Sequence, residues 1–428
     1  MSSNPLQSIG RWSDDPQRRY AGLPSICSAH PVVIETVIRA LRDHELPILI
    51  EATCNQVNQD GGYTGMTPTD FRDFVYDIAA RVGVPAGRIV LGGDHLGPNP
   101  WKHLSAPEAL DKARAMVEAY AAAGFAKLHL DCSMGCAGEP EALKDAEVAE
   151  RASALAQWAE AALPDTASVR PVYVIGTEVP VPGGALAAHH KIEVTSPDAA
   201  EATLSTHQAA FARRGLEEAF GRVIAIVVQP GVEFGDDSVS AYDPIAAKKL
   251  RTLTDRHENI VFEAHSTDYQ SGAALAGLVR DKFSILKVGP ALTFGLREGL
   301  YGLDLIAEEL APTARKETLR AAMERIMLAA PDNWRKYYDG SQQEQVIKRH
   351  FSYSDRIRYY WQTPDARQAV AELHEVLGGR NIPFPLLSQY VGQIARHFDG
   401  HARIDADAVL RASVEEVLDV YIRASMKG

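Results

Sequence analysis

The sequence predicts an α/β fold, a (β/α)8 TIM barrel with a C-terminal helical extension, on three observations. Eight short apolar runs, each stopped by polar or Gly/Pro residues, fall within the first 290 residues. Helix-like stretches separate them, and beyond Pro290 only helical patterns follow. The 428 residues exceed the roughly 250 of a bare barrel. The expected division is a barrel domain over residues 1–310, carrying the catalytic groups, and helices packed on it over residues 311–428.

Strand 24–29 leads into a helix over 31–44, and strand 47–53, which begins PILI, into a helix over 68–82. Strand 89–95 precedes helix 106–123, and strand 127–133 precedes helix 144–162. Strand 172–178 is followed by helix 197–219, strand 224–230 by helix 243–257, and strand 260–266 by helix 269–281. Strand 285–290 ends the series, and residues 291–310 can supply the eighth barrel helix. Such alternation implies βαβ units and a parallel sheet. Runs that are apolar through most of their length, as in IAIVV, fit strands covered on both faces. A doubly wound open sheet is the alternative, but no GxGxxG follows the first strand. The tail reads as helices over 313–329, 341–351, 363–377, 385–392 and 406–426, interrupted at Asp332, Asn333, Gly378 and Gly379.

Composition narrows the function classes. With 46% hydrophobic and 23% charged residues the chain is ordinary globular protein. A net charge of -12 argues against a nucleic-acid surface, so an anionic ligand needs a local basic or dipolar pocket. No apolar run approaches the roughly 20 residues of a membrane span. The polar segment 1–20 lacks the apolar core of a signal peptide, so a cytoplasmic location is expected. Four scattered cysteines, Cys27, Cys54, Cys132 and Cys136, are expected reduced, the last two as barrel packing rather than half a zinc site.

In a barrel the strand ends and the loops after them face a common mouth, where catalytic groups belong. Polar residues stand there on seven successive strands: Glu51 with Asn55 and Gln56, Asp94 and His95, Asp131, Glu178, Gln229, Glu263 and His265, and Lys287. The sharpest string is LGGDHLGPNPW (91–101). There Asp94 offers an acid/base group beside His95 as a metal ligand, with glycines expected to let a ligand approach the backbone. His95, Glu178 and His265, from different strands, can converge on one divalent ion with an open position, zinc being the natural expectation.

Seven strings, IEATCNQVNQDGGYTGMTP (50–68), GGDHLGPNPW, HLDCSMGC, IGTEVPVPGG, VVQPGVEFG, FEAHSTDYQ and KVGPALTFGLRE, together resemble the Z-type subunits of tagatose-bisphosphate aldolase. The resemblance covers most of the chain. It implies either a sugar-phosphate 4-epimerase or a non-catalytic subunit that stabilises a Y-type aldolase in galactitol and tagatose catabolism; some members carry a tagatose 6-phosphate kinase label. Through similarity to class II aldolases it implies Asp94 as acid/base, His95 and His265 as ligands and Glu178 as the glutamate; Asp131, at the end of strand four, is expected beside them as a further catalytic carboxylate. Where the aldolase pattern expects a histidine after strand six, this chain has Gln229. The sphere then takes a neutral amide oxygen or recruits Asp131 or Glu178.

No GxxxxGK[ST] string supports the kinase label. C4 of a ketose carries no acidic proton, and without a nicotinamide fingerprint carbon–carbon cleavage and re-addition is the better route to epimerisation. The expected reaction interconverts D-tagatose 6-phosphate and D-fructose 6-phosphate. Glu51, Asn55 and Gln229 are expected to contact the sugar, and Ser266, Thr267, Gly272, Gly289 and Thr293 its phosphate. Lys287 suggests a rival Schiff-base mechanism. The tail's SYSDRIRYYW (352–361), with Arg356 and Arg358, is either a packing or oligomer surface or a phosphate-contacting lid, Arg356 then being a substrate contact. A homo-oligomer is a further expectation.

Overall fold

A computed structural model describes residues 4–165, 167, 169–177, 192–400 and 403–427. Eight parallel strands close into a barrel: β1 (Leu23–Cys27), β2 (Ile48–Thr53), β3 (Ile89–Leu96), β4 (Lys127–Leu130), β5 (Val172–Gly176), β6 (Val223–Val227), β7 (Val261–Ala264) and β8 (Ile285–Val288). Each strand pairs with its neighbour in sequence, and β1 meets β8 from Leu23–Ile285 to Ile26–Val288. From β2 through β8 nearly every strand residue is buried, which is why these segments read as continuous apolar runs rather than alternating ones.

All eight expected strands are present. Several ladders stop short of the polar residues that close their runs: β4 ends at Leu130 and β7 at Ala264, so Asp131 and His265 stand above the last rung. The chain also makes a short antiparallel hairpin, Glu233–Phe234 with Val239–Ser240, that the sequence did not announce. The helix expected over 243–257 is two short ones, Pro244–Ala247 and Thr252–Arg256. The one expected over 197–219 breaks near Gly215, whose φ of 70° ends Pro197–Arg213 before Glu217–Phe220 begins.

The tail is helical over Leu319–Ala329, Gln342–Phe351, Pro364–Leu377, Phe384–Tyr390 and Ala406–Ser425. The last of these packs against Pro31–Leu41, Gly272–Arg280, Pro290–Leu310 and β1. The ring of helices therefore closes between the seventh helix and the first through the chain's last helix, not through 290–310 alone. Close approach of Pro290–Leu310 and Ala406–Ser425 depends on two glycines: a Cβ at Gly295 would lie 2.7 Å from the Ser413 carbonyl oxygen, and one at Gly299 2.5 Å from Ser413 Oγ. Tyr20 and Met426 form an antiparallel bridge, and the Tyr421 hydroxyl donates to the Thr267 carbonyl at 2.7 Å. Among the described residues no helix is long and apolar enough to cross a membrane.

Thr267 follows β7 at the mouth and Tyr421 is buried, so this bond ties the tail to the functional end of the barrel. Tyr421→Phe is expected to lower unfolding free energy by about 1–2 kcal/mol, the loss of one buried hydrogen bond. Urea denaturation measures it, and an unshifted midpoint would show that the tail is held by packing alone.

Candidate active site at the barrel mouth

Side chains two apart on a strand share a face. On β4 that rule sends Lys127 and His129 into the barrel together, and at β7 it pairs Glu263 with His265; all four are buried. On β3 it turns Gly92 and Asp94 inward and sends His95 outward. The backbone breaks the rule at His95, whose φ of 51° accompanies a register irregularity between Gly93 and Leu96 and brings the imidazole back to the mouth beside Asp94. Ser266, with φ 54°, is turned in the same way after β7. A non-glycine residue held there costs roughly 1–3 kcal/mol, strain that typically accompanies function.

The glycines around Asp94 have a different purpose from the one expected of them. A Cβ at Gly92 would lie 2.4 Å from Glu51 Oε1, one at Gly93 2.7 Å from Leu96 Cδ1 and 2.8 Å from Tyr120 Cδ1, and one at Gly97 1.7 Å from the Asp131 carbonyl oxygen. They make room for protein groups beneath the site, not for a ligand above it.

Three imidazoles meet here. The His95 ring centroid lies 4.8 Å from that of His265 and 5.2 Å from that of His129, and the latter two are 5.1 Å apart. Each ring has one nitrogen fixed by a carboxylate: His95 Nδ1 to Asp131 at 2.8 Å, His129 Nδ1 to Asp94 at 2.9 Å, and His265 Nε2 to Glu263 at 3.0 Å. The His95 amide also lies 3.3 Å from His129 Nδ1. The shorter, charge-assisted contact with Asp94 decides the tautomer, placing the proton on Nδ1 and leaving Nε2 with its lone pair. That Nε2 is buried and has no hydrogen-bond partner among the described residues. A ring oriented by a carboxylate, with its other nitrogen free, is the usual setting of a metal-bound histidine. Ligand atoms of Asp94, His129, Glu263 and His265 all lie within 4.8 Å of one another, so the residues present fit a divalent cation.

Charge balance points the same way. Lys127 Nζ is held between Glu51 at 2.6 Å and Glu263 at 2.7 Å, and Lys287 Nζ between Glu51 and, at 3.0 Å, Asp94. With Asp131, four buried carboxylates face two ammonium groups, an anionic excess that a cation would offset. Burial opposes ionisation of Asp94, Asp131 and Glu263, yet His95 with Lys287, His95, and Lys127 with Lys287 respectively hold each well below the usual carboxylate range. Burial brings His265 down to about 4, a neutral ring at pH 7. His95 is pushed the other way: burial opposes its charging, but Asp94 and Asp131 outweigh it. Lys287 is raised well above the usual lysine range by Asp94, Cys27 and Glu51 against the pull of burial. It is a paired cation, not the free amine a Schiff base requires.

Above the cluster opens a cavity of about 670 Å³, counting the part continuous with solvent. Asp94, His95, His265, Asn55, Ser266 and Gly289 line it, with Lys287 and Cys27 beside them. Other expected contacts stand elsewhere. Glu51 lies beneath, clamped by the two lysines. Asp131 is spent on His95 and on the amide and hydroxyl of Ser133, so it orients an imidazole and does not face the cavity. Gln229 Oε1 accepts from the Gly231 amide at 2.8 Å and does not line the cavity. The Thr267 hydroxyl donates to the Lys287 carbonyl at 2.6 Å, and that of Thr293 to Asp355 at 2.5 Å, Thr293 lining a small adjoining cavity.

The expected phosphate amides are also engaged. Gly289 N and Ala291 N both donate to Asp268 Oδ1, at 3.0 and 2.8 Å, so the start of helix Pro290–Leu310 already holds a carboxylate. The start of Gly272–Arg280 is capped by Ser271. From the tail, Arg358 and Tyr359 line the cavity, whereas the Arg356 guanidinium lies over the Tyr337 ring, 3.3 Å from its centroid, with Nε donating to the Asn333 carbonyl. Arg356 is thus a packing residue, and within 352–361 it is Arg358 and Tyr359 that reach the mouth. Glu178 lies outside the described residues.

The chain belongs to the family described as D-tagatose-1,6-bisphosphate aldolase subunit GatZ/KbaZ-like, which it matches over residues 7–426. It is 53% identical over 408 residues, 95% of this chain and 96% of the other, to a protein of Agrobacterium fabrum (strain C58 / ATCC 33970) named D-tagatose 6-phosphate 4-epimerase. A crystal structure from Sinorhizobium meliloti 1021, described as a "probable tagatose 6 phosphate kinase", is 55% identical with a TM-score of 0.87, covering 94% of this chain and 100% of that one.

Removing the carboxylate behind His95 should loosen the site without emptying the cavity wall. Asp131→Ala is expected to weaken divalent-cation affinity by about 10–100-fold. Competition with a chromogenic chelator reads this directly; wild-type affinity in the variant would dismiss Asp131 as a support of the site.

Proposed function

We propose that this member of the GatZ/KbaZ-like family is a D-tagatose 6-phosphate 4-epimerase, interconverting D-tagatose 6-phosphate and D-fructose 6-phosphate by cleaving and remaking the C3–C4 bond. The observation that carries the reading is the meeting of three carboxylate-oriented imidazoles with Asp94, of which His95, His265 and Asp94 line one cavity and His129 lies buried beside them. It occurs in a chain 53% identical over almost all its length to a protein of that name.

In this reading His129 and His265, from the group whose ligand atoms lie within 4.8 Å of one another, hold a divalent ion with His95, whose ring lies 4.8 Å from that of His265, as the third donor, zinc being favoured by nitrogen donors that leave a position open. Bound there, the ion would supply Lewis-acid stabilisation of the negative charge that develops as the C3–C4 bond breaks. Asp94 accepts the proton of the C4 hydroxyl. The electrons of that O–H bond form the aldehyde C=O, and those of the C3–C4 bond remain on the three-carbon fragment as its enediolate. The aldehyde then turns its other face, C3 re-adds to it, and Asp94 returns the proton to the new C4 oxygen. Lys287 steadies the Asp94 carboxylate throughout, and the walls above the cluster confine the aldehyde while it turns. Glu178 keeps the supporting carboxylate role that the family resemblance gives it.

The rival reading, a decayed barrel that only stabilises a Y-type aldolase subunit, drew on Gln229. That residue's amide oxygen is occupied by the Gly231 amide, and His129 offers an imidazole in its stead, so Gln229 does not argue for lost chemistry. A Y-type partner and a homo-oligomer stay as proposals beside an active chain, as does a cytoplasmic location.

The chain expressed alone with a divalent ion should convert tagatose 6-phosphate to fructose 6-phosphate, followed by NMR, with no triose accumulating. Activity should vanish with a strong chelator, and Asp94→Asn should fall by roughly 10²–10⁴-fold. Net triose release would make the chain an aldolase, and inactivity until a Y-type subunit is added would restore the rival reading.

A further inference from the structure

We propose that Arg358, delivered over the barrel mouth by the C-terminal tail, is the residue that reads the substrate's phosphate and so selects a phosphorylated over a free ketose. The proposal rests on the epimerase reading for its substrate, but the anion site itself stands on the geometry.

The tail segment around Arg358 is fastened from several sides of the mouth. Tyr353 N donates to the Asp236 carbonyl at 2.8 Å, the Tyr269 hydroxyl to the Tyr353 carbonyl at 2.6 Å, and the Thr293 hydroxyl to Asp355 at 2.5 Å. The Tyr359 ring meets that of Tyr63 edge-on at 4.9 Å. Asp355, with φ 46°, turns the chain so that Arg358 faces inward. Arg358 lines both the main cavity and the small adjoining one, which share a wall of Cys27, Gln56, Tyr63 and Gly289 with it.

What Arg358 lacks is a carboxylate in direct contact. Its guanidinium donates to the carbonyls of Ser354 and, at 3.0 Å, Asp355, and to the Tyr359 hydroxyl at 2.9 Å, all neutral groups. Among the described residues no carboxylate oxygen forms a direct ion pair with it. Lys287, a second cation on the same wall, is paired twice. Position sets it apart from its neighbours: Arg356, also without an ion pair, lies over Tyr337 away from the cavity, and Arg297 lies over Phe294 with Asp355 3.9 Å from its Nε, whereas Arg358, over the Tyr359 ring at 4.5 Å, is on the cavity wall. The Asp355 and Asp268 carboxylates act on it only from a distance, and burial pushes both toward their neutral forms, so a closer anion is favoured, and a guanidinium matches two phosphate oxygens at once. The usual barrel alternative, amides at the start of Pro290–Leu310, is filled by Asp268. In a chain of net charge -12, the dianion has its counter-charge here.

Steady-state kinetics of Arg358→Gln and Arg358→Lys, with calorimetric titration of inorganic phosphate and tagatose 6-phosphate, test this. Arg358→Gln should raise KM for tagatose 6-phosphate about 10–100-fold, the worth of a charge-assisted contact, with a smaller change in kcat, and should abolish phosphate binding. Arg358→Lys should recover part of the loss. A folded Arg358→Gln, judged by circular dichroism and melting, with KM and phosphate affinity within twofold of wild type overturns the proposal. Should that variant not fold, Arg358→Lys decides: loss of the two-oxygen match raises KM several-fold, and wild-type KM and phosphate affinity overturn the assignment. A wild-type chain that turns over no tagatose 6-phosphate defeats the epimerase reading alone. The anion site is then judged by whether wild type binds inorganic phosphate and Arg358→Gln does not.

Discussion

Lys127, buried between Glu51 and Glu263, is the interaction on which the mouth of this barrel depends. Neither glutamate stops there: Glu51 passes the connection to Lys287 and through it to Asp94, and Glu263 passes it to His265. Asp94 in turn fixes His129. One continuous chain of charge therefore runs through the core and emerges as the oriented imidazoles and carboxylate of the cavity floor. Removing one member of such a buried pair leaves its partner uncompensated and typically costs about 3–5 kcal/mol. An apolar replacement of the set could be as stable, yet it would leave nothing to aim the ring nitrogens. The arrangement is best understood as stability given up for orientation.

The same network explains which parts of the site were legible in the sequence. Strand ends were readable because a parallel barrel buries both faces of every strand, so a charged residue inside an apolar run stands out. Asp94, His95 and His265 were found this way, and they do meet. His129 is the harder residue to see in HLDCSMGC, because Asp131 stands at the end of the run; period-two alternation from Lys127 is the signal that places it inside. Asp131 was over-read for a related reason: a carboxylate at a strand end looks catalytic until its partner is seen to be an imidazole's back side.

Other misreadings have a common physical root, which is that sequence does not reveal what occupies a neighbour's space. Gly92 and Gly93 signal close approach, but the approaching groups are Glu51, Leu96 and Tyr120 rather than a ligand. Gly289 opens a helix at a mouth where barrels often bind phosphate, but Asp268, from the preceding loop, reached those amides first. Arg356 and Arg358 are two residues apart in a 3₁₀ turn (Arg356–Tyr359), and only tertiary packing distinguishes the one stacked on Tyr337 from the one facing the cavity. Gln229 looked like a missing ligand because a ligand set was assumed to belong to particular strands. A cation responds to donor positions in space, and strand four can supply what strand six does not.

The tail, finally, ties selectivity to folding. Its last helix completes the ring beside β1, seated against Gly295 and Gly299 of the helix that follows β8, while its middle section lies on the loops after β2, β6 and β7. Tyr421 bonds to Thr267, and Thr267 to the carbonyl of Lys287, so the last helix is within two hydrogen bonds of the strand that carries the lysine steadying Asp94. A lid attached by a hinge can be trimmed without harm to the body beneath. This one cannot be cut away alone, because the segment that places Arg358 lies in sequence between the helix after β8 and the last helix that completes the ring.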